Sequence, residues 1–142
     1  MNTGTAVSLP KVVLDTNIII SGIGFGGKPR KILDHILEEK FSGVISLILL
    51  AELEDVINKK FPELKDDLKL INKQIHKKFK MVRPEKSLRV VSDDADNRVL
   101  EAAVEGNCHY IVTGDKELLE LGQFEEIKIV APAEFLRLVK LT

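Results

Sequence analysis

The sequence contains no tryptophan, one tyrosine and one cysteine, Cys108. A single cysteine excludes an internal disulfide and is typical of a protein from a reducing cytoplasm. No apolar run approaches the roughly 18 residues of a membrane-spanning helix. The first residues, MNTGTAVSLPK, have neither the basic nor the apolar region of a signal peptide. We therefore expect a cytoplasmic protein that does not enter a membrane.

A large excess of one charge is also absent, because the net charge of the 142 residues is −1. The length and the 44% apolar fraction suit one folded domain. We expect a flexible lead-in at 1–9 and one folded domain at 10–142. Residues 58–89 nevertheless hold eleven Lys and Arg against four Asp and Glu. Such a segment suits a polyanionic partner, although a lysine-rich helix that only faces water is an equally good interpretation.

Short apolar runs alternate with amphipathic segments along the chain. Strands are predicted at 11–14, 43–45, 88–91, 110–113 and 127–130. Helices are predicted at 29–40, 47–60, 63–79, about 94–105, 116–121 and 132–141, with a glycine-containing loop at 21–29. Strands that alternate with helices in this way indicate an α/β fold with a parallel sheet covered on both faces.

Four acidic residues stand beside these apolar runs: Asp15, Glu52, Asp96 and Asp115. Asp15 and Asp115 each come just after a predicted strand, and right-handed crossovers bring such positions to one edge of a parallel sheet. Carboxylates held close together are costly unless a cation neutralises them. The pattern therefore predicts a divalent metal site and, with it, phosphodiester chemistry.

Three of these acids also have simpler structural interpretations. Asp15 and Asp115 are equally acceptable as caps of the turn or helix that follows each strand. Glu52 borders the apolar stripe of its predicted helix and could be an ordinary exposed residue. The argument for a site comes from the matching positions of Asp15 and Asp115, which capping alone does not require.

The segment around Asp96 offers more than one carboxylate. Asp93 and Asp94 are close rivals, and at least one of them is expected to cap the helix. Among the polar neighbours, Asn17 can hydrogen-bond across the turn that follows the first strand and hold the carboxylate there. Thr113 can position a carboxylate, or it can only cap a loop.

Four segments together resemble the PIN-domain ribonucleases, and especially the small prokaryotic PIN proteins of toxin–antitoxin pairs. The segments are VVLDTNIIIS, SLILLAEL, DNRVLEAA and IVTGDKELL, in the order and spacing of the family. The resemblance extends over about 11–138. It implies a three-layer α/β/α sandwich with a central parallel sheet, and an endoribonuclease that hydrolyses single-stranded RNA.

The resemblance also implies roles for individual residues. It implies that four acids are catalytic residues and ligands of Mg²⁺ or Mn²⁺: Asp15, Glu52, Asp96 and Asp115. It gives supporting roles to Asn17 and Thr113. The implied partners are RNA, an antitoxin protein, and further copies of the chain in a dimer or tetramer.

Three lysines on the polar face of the predicted helix 63–79 are candidate RNA contacts: Lys69, Lys73 and Lys77. They would act through phosphate charge rather than base recognition. Two other functions are open: a catalytically silent PIN-like RNA-binding or scaffold protein, and a magnesium-dependent phosphatase of the haloacid dehalogenase type. The phosphatase needs a second aspartate two residues after the first, where this chain has Asn17.

Overall fold

The computed structural model describes residues 9–140, so the predicted lead-in lies outside the described residues except for Leu9. Six strands and seven α-helices alternate along the described chain. They are β1 (Lys11–Leu14), α1 (Thr16–Gly24), α2 (Gly27–Leu37), β2 (Ser42–Ser46), α3 (Leu47–Lys60), α4 (Lys65–Lys78), β3 (Lys80–Val82), α5 (Asp94–Glu105), β4 (Tyr110–Val112), α6 (Lys116–Leu121), β5 (Gln123–Phe124), β6 (Ile127–Val130) and α7 (Pro132–Leu138). A short 3-10 turn, Pro62–Leu64, leads into α4.

The six strands form one sheet in the order β3-β2-β1-β4-β6-β5. Every neighbouring pair is parallel except β5 with β6, which is antiparallel. In the middle of the sheet, Val13 of β1 is in register with Val44 of β2 and with Ile111 of β4. The carboxyl ends of β1 and β4 therefore lie side by side, which is where the sequence predicts a site.

Helices cover both faces of the sheet, because successive strand residues point to opposite sides. Val44 faces Gly106 at the end of α5, where an added Cβ would come within 2.7 Å of Val44 Cγ1. Gly43, one residue earlier, points to the other face, where an added Cβ would come within 2.7 Å of Ile36 Cγ2 in α2. On that second face the ring of Phe135 in α7 packs edge-on against Tyr110, 5.3 Å between centroids. The three-layer α/β/α sandwich is confirmed.

The predicted loop at 21–29 is wrong over its first half, because α1 continues to Gly24. Glycine has a low helix propensity, but here it allows two helices to approach each other closely. A Cβ on Gly22 would be 3.2 Å from the backbone oxygen of Pro29 in α2. The chain then turns at Gly26, whose φ of 78° favours glycine, and α2 begins at Gly27. The turn is therefore much shorter than the prediction.

The predicted strand at 88–91 is also wrong. Among residues 9–140 no strand pairs with this segment, and side chains of α5 bind its backbone instead. Asn97 Oδ1 accepts hydrogen bonds from the N–H groups of Val90 and Val91, at 2.9 and 3.0 Å. Glu101 Oε2 accepts one from the N–H of Leu88 at 2.8 Å. The strands at β3 and β5, only three and two residues long, were not predicted.

Several helix ends differ by a few residues from the prediction. Helix α2 ends at Leu37 instead of 40, and α7 ends at Leu138 instead of 141. The predicted helix 63–79 begins as a 3-10 turn and becomes α-helical at Lys65. Among residues 9–140, none of the helices is both long and apolar enough to cross a membrane.

Candidate functional site

Thr113 joins the two acids that follow the central strands. Asp15 comes directly after β1, and its N–H donates to the carbonyl oxygen of Val112 in β4 at 2.9 Å. The buried Thr113 hydroxyl donates to Asp15 Oδ2 at 2.7 Å. The same hydroxyl oxygen accepts from the N–H of Asp115 at 2.9 Å. One side chain thus orients the Asp15 carboxylate and the start of the segment that carries Asp115.

Asp115 is both a helix cap and a member of an acidic cluster, which consists of Asp15, Asp96 and Asp115. Its Oδ1 accepts a hydrogen bond from the N–H of Leu118 at 3.1 Å, which caps α6. Its carboxylate is also close enough to Asp96, in the first turn of α5, to raise the pKa of that acid. The two interpretations that the sequence left open are therefore compatible, because one carboxyl oxygen makes the cap while the group still faces the cluster.

Asp96 is the buried acid of its segment. It is 5% exposed, whereas Asp93 and Asp94 are both exposed. Asp93 caps α5 by accepting a hydrogen bond from the N–H of Ala95 at 2.8 Å. In residues 9–140 no hydrogen-bond donor reaches the buried Oδ2 atom of Asp96. Asp96 is therefore the buried acid of its segment, and Asp115 is close enough to influence its pKa.

Burial and mutual repulsion make it costly to ionise this cluster. Burial, the proximity of the Asp115 carboxylate, and the negative charges of Asp115, Asp93 and Asp15 raise the pKa of Asp96 to about 7. The pKa of Asp15 is also raised, mainly by burial and secondarily by the charge of Asp115. The Thr113 hydroxyl opposes that rise. Unsatisfied carboxylates of this kind favour a bound cation.

Glu52 lies half-buried in the second turn of α3 and faces α1. Its Oε1 accepts a hydrogen bond from the hydroxyl of Thr16 at 2.8 Å. Thr16 is 3% exposed and follows Asp15 directly, so it ties Glu52 to the end of β1. Sequence reasoning did not assign a role to Thr16. The signal was its place beside Asp15, but the partner on α3 is visible only in the fold.

A family model described as PIN domain matches residues 11–117, about three quarters of the sequence. The chain belongs to the PIN-domain family. PIN domains are generally nucleases, which are hydrolases of phosphodiester bonds. The haloacid dehalogenase alternative loses its support, because all four acids lie within the range that the PIN model matches. No curated protein matches the chain.

A solved structure has the same fold as this PIN domain. It is the crystal structure of VapBC2 from Rickettsia felis bound to a DNA fragment from their promoter. The match has a TM-score of 0.61 and covers 84% of this chain and 96% of the other, at 17% sequence identity. At that identity the likeness supports the fold and leaves the chemistry to be argued from this chain's own residues.

PIN nucleases typically use divalent metals, and the acidic cluster can be compared with that requirement. Its possible metal ligands are carboxylate oxygens, which Mg²⁺ and Mn²⁺ prefer, and no hydrogen-bond donor in residues 9–140 reaches the buried Oδ2 of Asp96. In the described residues, no three His, Cys, Asp or Glu side chains are arranged so that they could hold one metal ion. Mg²⁺ keeps several waters and takes only one or two carboxylates. The side chains therefore fit a hydrated cation and do not form a closed cage.

The remaining predicted residues lie outside the cluster. Asn17 is exposed in the first turn of α1, and within the described part of the chain its side chain makes no hydrogen bond to Asp15. The lysines at 69, 73 and 77 are exposed on α4. That helix ends near the amino ends of the strands: Lys78 pairs with Glu39 at 3.5 Å, just before β2 begins. Lys77 is therefore at the opposite edge of the sheet from the carboxylates.

Proposed function

We propose that this PIN domain is a metal-dependent endoribonuclease that hydrolyses single-stranded RNA with Mg²⁺ or Mn²⁺. The observation that carries the proposal is the Thr113 hydroxyl, which binds both the buried Asp15 carboxylate and the N–H of Asp115. The buried Asp96 is close enough to Asp115 for its pKa to be raised. Of these three carboxyl groups only Asp115 has an evident structural purpose, as the cap of α6, and holding them close together is costly because their charges repel and burial disfavours ionisation. A divalent cation bound to a phosphodiester would offset both effects.

The roles of the residues follow from their contacts. Asp15 and Asp115, both oriented by Thr113, would hold the principal cation. A bound cation would lower the pKa of water and stabilise the charge that builds on the phosphoryl oxygens. Asp96, whose buried Oδ2 has no donor in residues 9–140, or Glu52, which Thr16 holds near the end of β1, would orient the attacking water. Attack by water leaves a 5′-phosphate and a 3′-hydroxyl on the products.

A histidine-based ribonuclease is not supported by this structure. Such an enzyme needs two histidines that converge on one phosphate. His35 packs edge-on against Phe41, with 5.7 Å between ring centroids. His109 Nδ1 accepts a hydrogen bond from the N–H of Lys11 at the amino end of β1, away from the acids. His76 is exposed on α4. The acidic cluster is therefore the better candidate.

The test is cleavage of single-stranded RNA with Mn²⁺ or Mg²⁺, with and without chelator. Chelator and Asp15→Asn should each abolish cleavage, whereas Asp66→Asn, which changes an exposed acid on α4, should not. The 5′ ends of the products identify the attacking group. Cleavage that survives chelation would refute the mechanism. RNA binding without cleavage would favour the catalytically silent RNA-binding protein.

We also propose that the chain has protein partners: an antitoxin, as in the related toxin–antitoxin pairs, and a second copy in a dimer or tetramer. A groove of about 550 Å³ between α1, α2 and α4 offers a surface for one of these protein partners. Its apolar residues include Ile23 and Leu70, and the Leu70 side chain is 68% exposed. The measurement is the molar mass in solution, alone and after co-expression with any antitoxin-like protein that is encoded directly upstream. A lone monomer in both cases would overturn this part.

A further inference from the structure

Ser92 and Glu117 form a contact between two helices that carry the acidic cluster. The Ser92 hydroxyl oxygen lies 3.0 and 2.9 Å from the two carboxylate oxygens of Glu117, so its single hydrogen is shared between them. The N–H of Asp93 also points to Glu117 Oε1, at 3.4 Å. Ser92 immediately precedes the cap of α5, and Glu117 is in the first turn of α6.

Each side of this contact is only a few residues from a carboxylate of the cluster. Asp96 lies in the first turn of α5, four residues after Ser92. Asp115 caps α6, two residues before Glu117. Within residues 9–140, the hydrogen bonds that join the segment 92–105 to α6 are the ones made by Glu117. The contact therefore links the start of α5, which carries Asp96, to the start of α6, which Asp115 caps.

The backbone just before Ser92 is held in place by the side chain of Asn97 in α5. The Asn97 side chain accepts from the N–H groups of Val90 and Val91 and donates to the carbonyl oxygen of Val91 at 2.9 Å. Asn97 is itself 1% exposed. Ser92 is the next residue along the chain. It can therefore transmit the position of α5 to the much shorter helix α6, which has six residues.

The carboxylates of Asp96 and Asp115 repel each other when both are ionised. We propose that Ser92 and Glu117 are positioning residues that keep these two carboxylates at a separation that one cation can span. Neither residue touches the reacting phosphate. The inference rests on the proposed function, because it gives the contact its purpose.

A double-mutant cycle tests the inference, with Mn²⁺ affinity measured by calorimetry and with kcat and KM measured on RNA. Ser92→Ala and Glu117→Ala should each weaken Mn²⁺ binding about fivefold and lower kcat by a similar factor, with KM for RNA unchanged. The double variant should lose no more Mn²⁺ affinity and no more kcat than the single variant that loses the most. Ser92→Thr, which keeps the hydroxyl, should restore both quantities.

Two further variants separate positioning from direct ligation. Glu117→Gln keeps an acceptor for Ser92, so it should lose much less affinity than Glu117→Ala. Glu120→Ala, one turn later on the exposed side of α6, controls for the loss of one negative charge and should change little. Additive effects in the cycle would overturn the inference. An unchanged Ser92→Ala variant beside an inactive Glu117→Gln variant would also overturn it, and would make Glu117 a ligand.

The metal measurement also distinguishes failure of this inference from failure of the proposed function. If the unmodified chain binds Mn²⁺ but does not cleave RNA, the nuclease proposal fails, and the cycle in Mn²⁺ affinity still decides whether the contact positions the carboxylates. If the unmodified chain binds no Mn²⁺, both proposals fall together.

Discussion

The hydroxyl of Thr16 donates to Glu52 Oε1 at 2.8 Å and so joins the residue after β1 to the second turn of α3. Without this hydrogen bond Glu52 would be a half-exposed helix residue whose side chain could adopt several rotamers. Because Thr16 is buried and Asp15 precedes it directly, the bond places Glu52 at the rim of the acidic cluster. A carboxylate held in one rotamer can orient a water molecule reproducibly, and a mobile one cannot.

Thr16→Val should therefore lower kcat about tenfold while leaving the melting temperature nearly unchanged. Valine has nearly the same shape, and the exposed side of Glu52 can still bind water; a tenfold loss corresponds to about 1.4 kcal/mol. Thr16→Ser is the matched control, because it keeps the hydroxyl. Equal activities for the two variants would show that the bond does not matter for the reaction.

Two substitutions at Asp115 separate its roles as helix cap and as carboxylate. Asparagine is a good N-cap, so Asp115→Asn should retain the bond from the N–H of Leu118 and remove only the charge. Cleavage should be lost, and the melting temperature should stay the same or rise because repulsion with Asp96 is gone. Asp115→Ala should lose the cap as well, at a cost of about 1 kcal/mol in the free energy of unfolding. Thermal denaturation beside the RNA assay gives both quantities. A large drop for Asp115→Asn would make the cap its main role.

Sequence patterns predicted the parts of this fold that depend on local signals. The Ser46 cap of α3 is confirmed: its Oγ accepts from the N–H of Leu49 at 3.2 Å. The strands at β1, β4 and β6 are apolar and β-branched, and α6 has the predicted bounds. The convergence of Asp15 with Asp115 also followed from topology, because parallel strands end at the same edge.

The parts that were missed depend on contacts between distant segments. Gly22 and Gly24 indicate a loop by propensity, yet the close approach to α2 and to Leu64 keeps that segment helical. The segment 88–91 has a strand-like composition, but Asn97 supplies the hydrogen bonds that a neighbouring strand would have supplied. Likewise, no local pattern pairs Thr16 with Glu52, because 36 residues separate them.

The stability of the cation-free protein should fall as the pH rises from about 4 to about 7. Asp96 has a pKa of about 7 in the folded protein, above its ordinary value of 3.8. In that window the folded state keeps a proton that the unfolded state has lost, so the free energy of unfolding decreases with pH and then levels off above 7. Asp15, whose pKa is also raised, contributes with the same sign.

Melting temperatures at pH 5 and pH 8 in chelator check this expectation. Asp96→Asn should reduce the difference and be the more stable protein at pH 8, by a few degrees or more. The exposed Asp94→Asn is the control and should behave like the unmodified chain. Mn²⁺ should bind more tightly at pH 8 than at pH 6, since binding requires the ionised carboxylates. A pH-independent melting temperature would show that Asp96 ionises normally.

The lysines of α4 should differ in their effect on RNA binding according to their position along the helix. The helix starts beside the end of α1, where Leu64 contacts Gly24, and ends at the amino edge of the sheet. Lys69 is thus nearer the carboxylate edge than Lys77. If RNA follows this surface, Lys69→Gln should reduce the slope of log affinity against log salt by roughly 0.7, the value for one phosphate contact on a single strand.

Lys77→Gln should have a smaller effect and serves as the internal control, while the triple change of Lys69, Lys73 and Lys77 to Gln should weaken binding to all RNA sequences alike. The fold should survive, because exposed lysines contribute little to stability. Binding is best measured with a cleavage-deficient Asp15→Asn background, so that RNA stays intact over the salt series. An unchanged affinity and slope in the triple variant would show that this face meets water or a protein partner, and that RNA reaches the acidic cluster by another path.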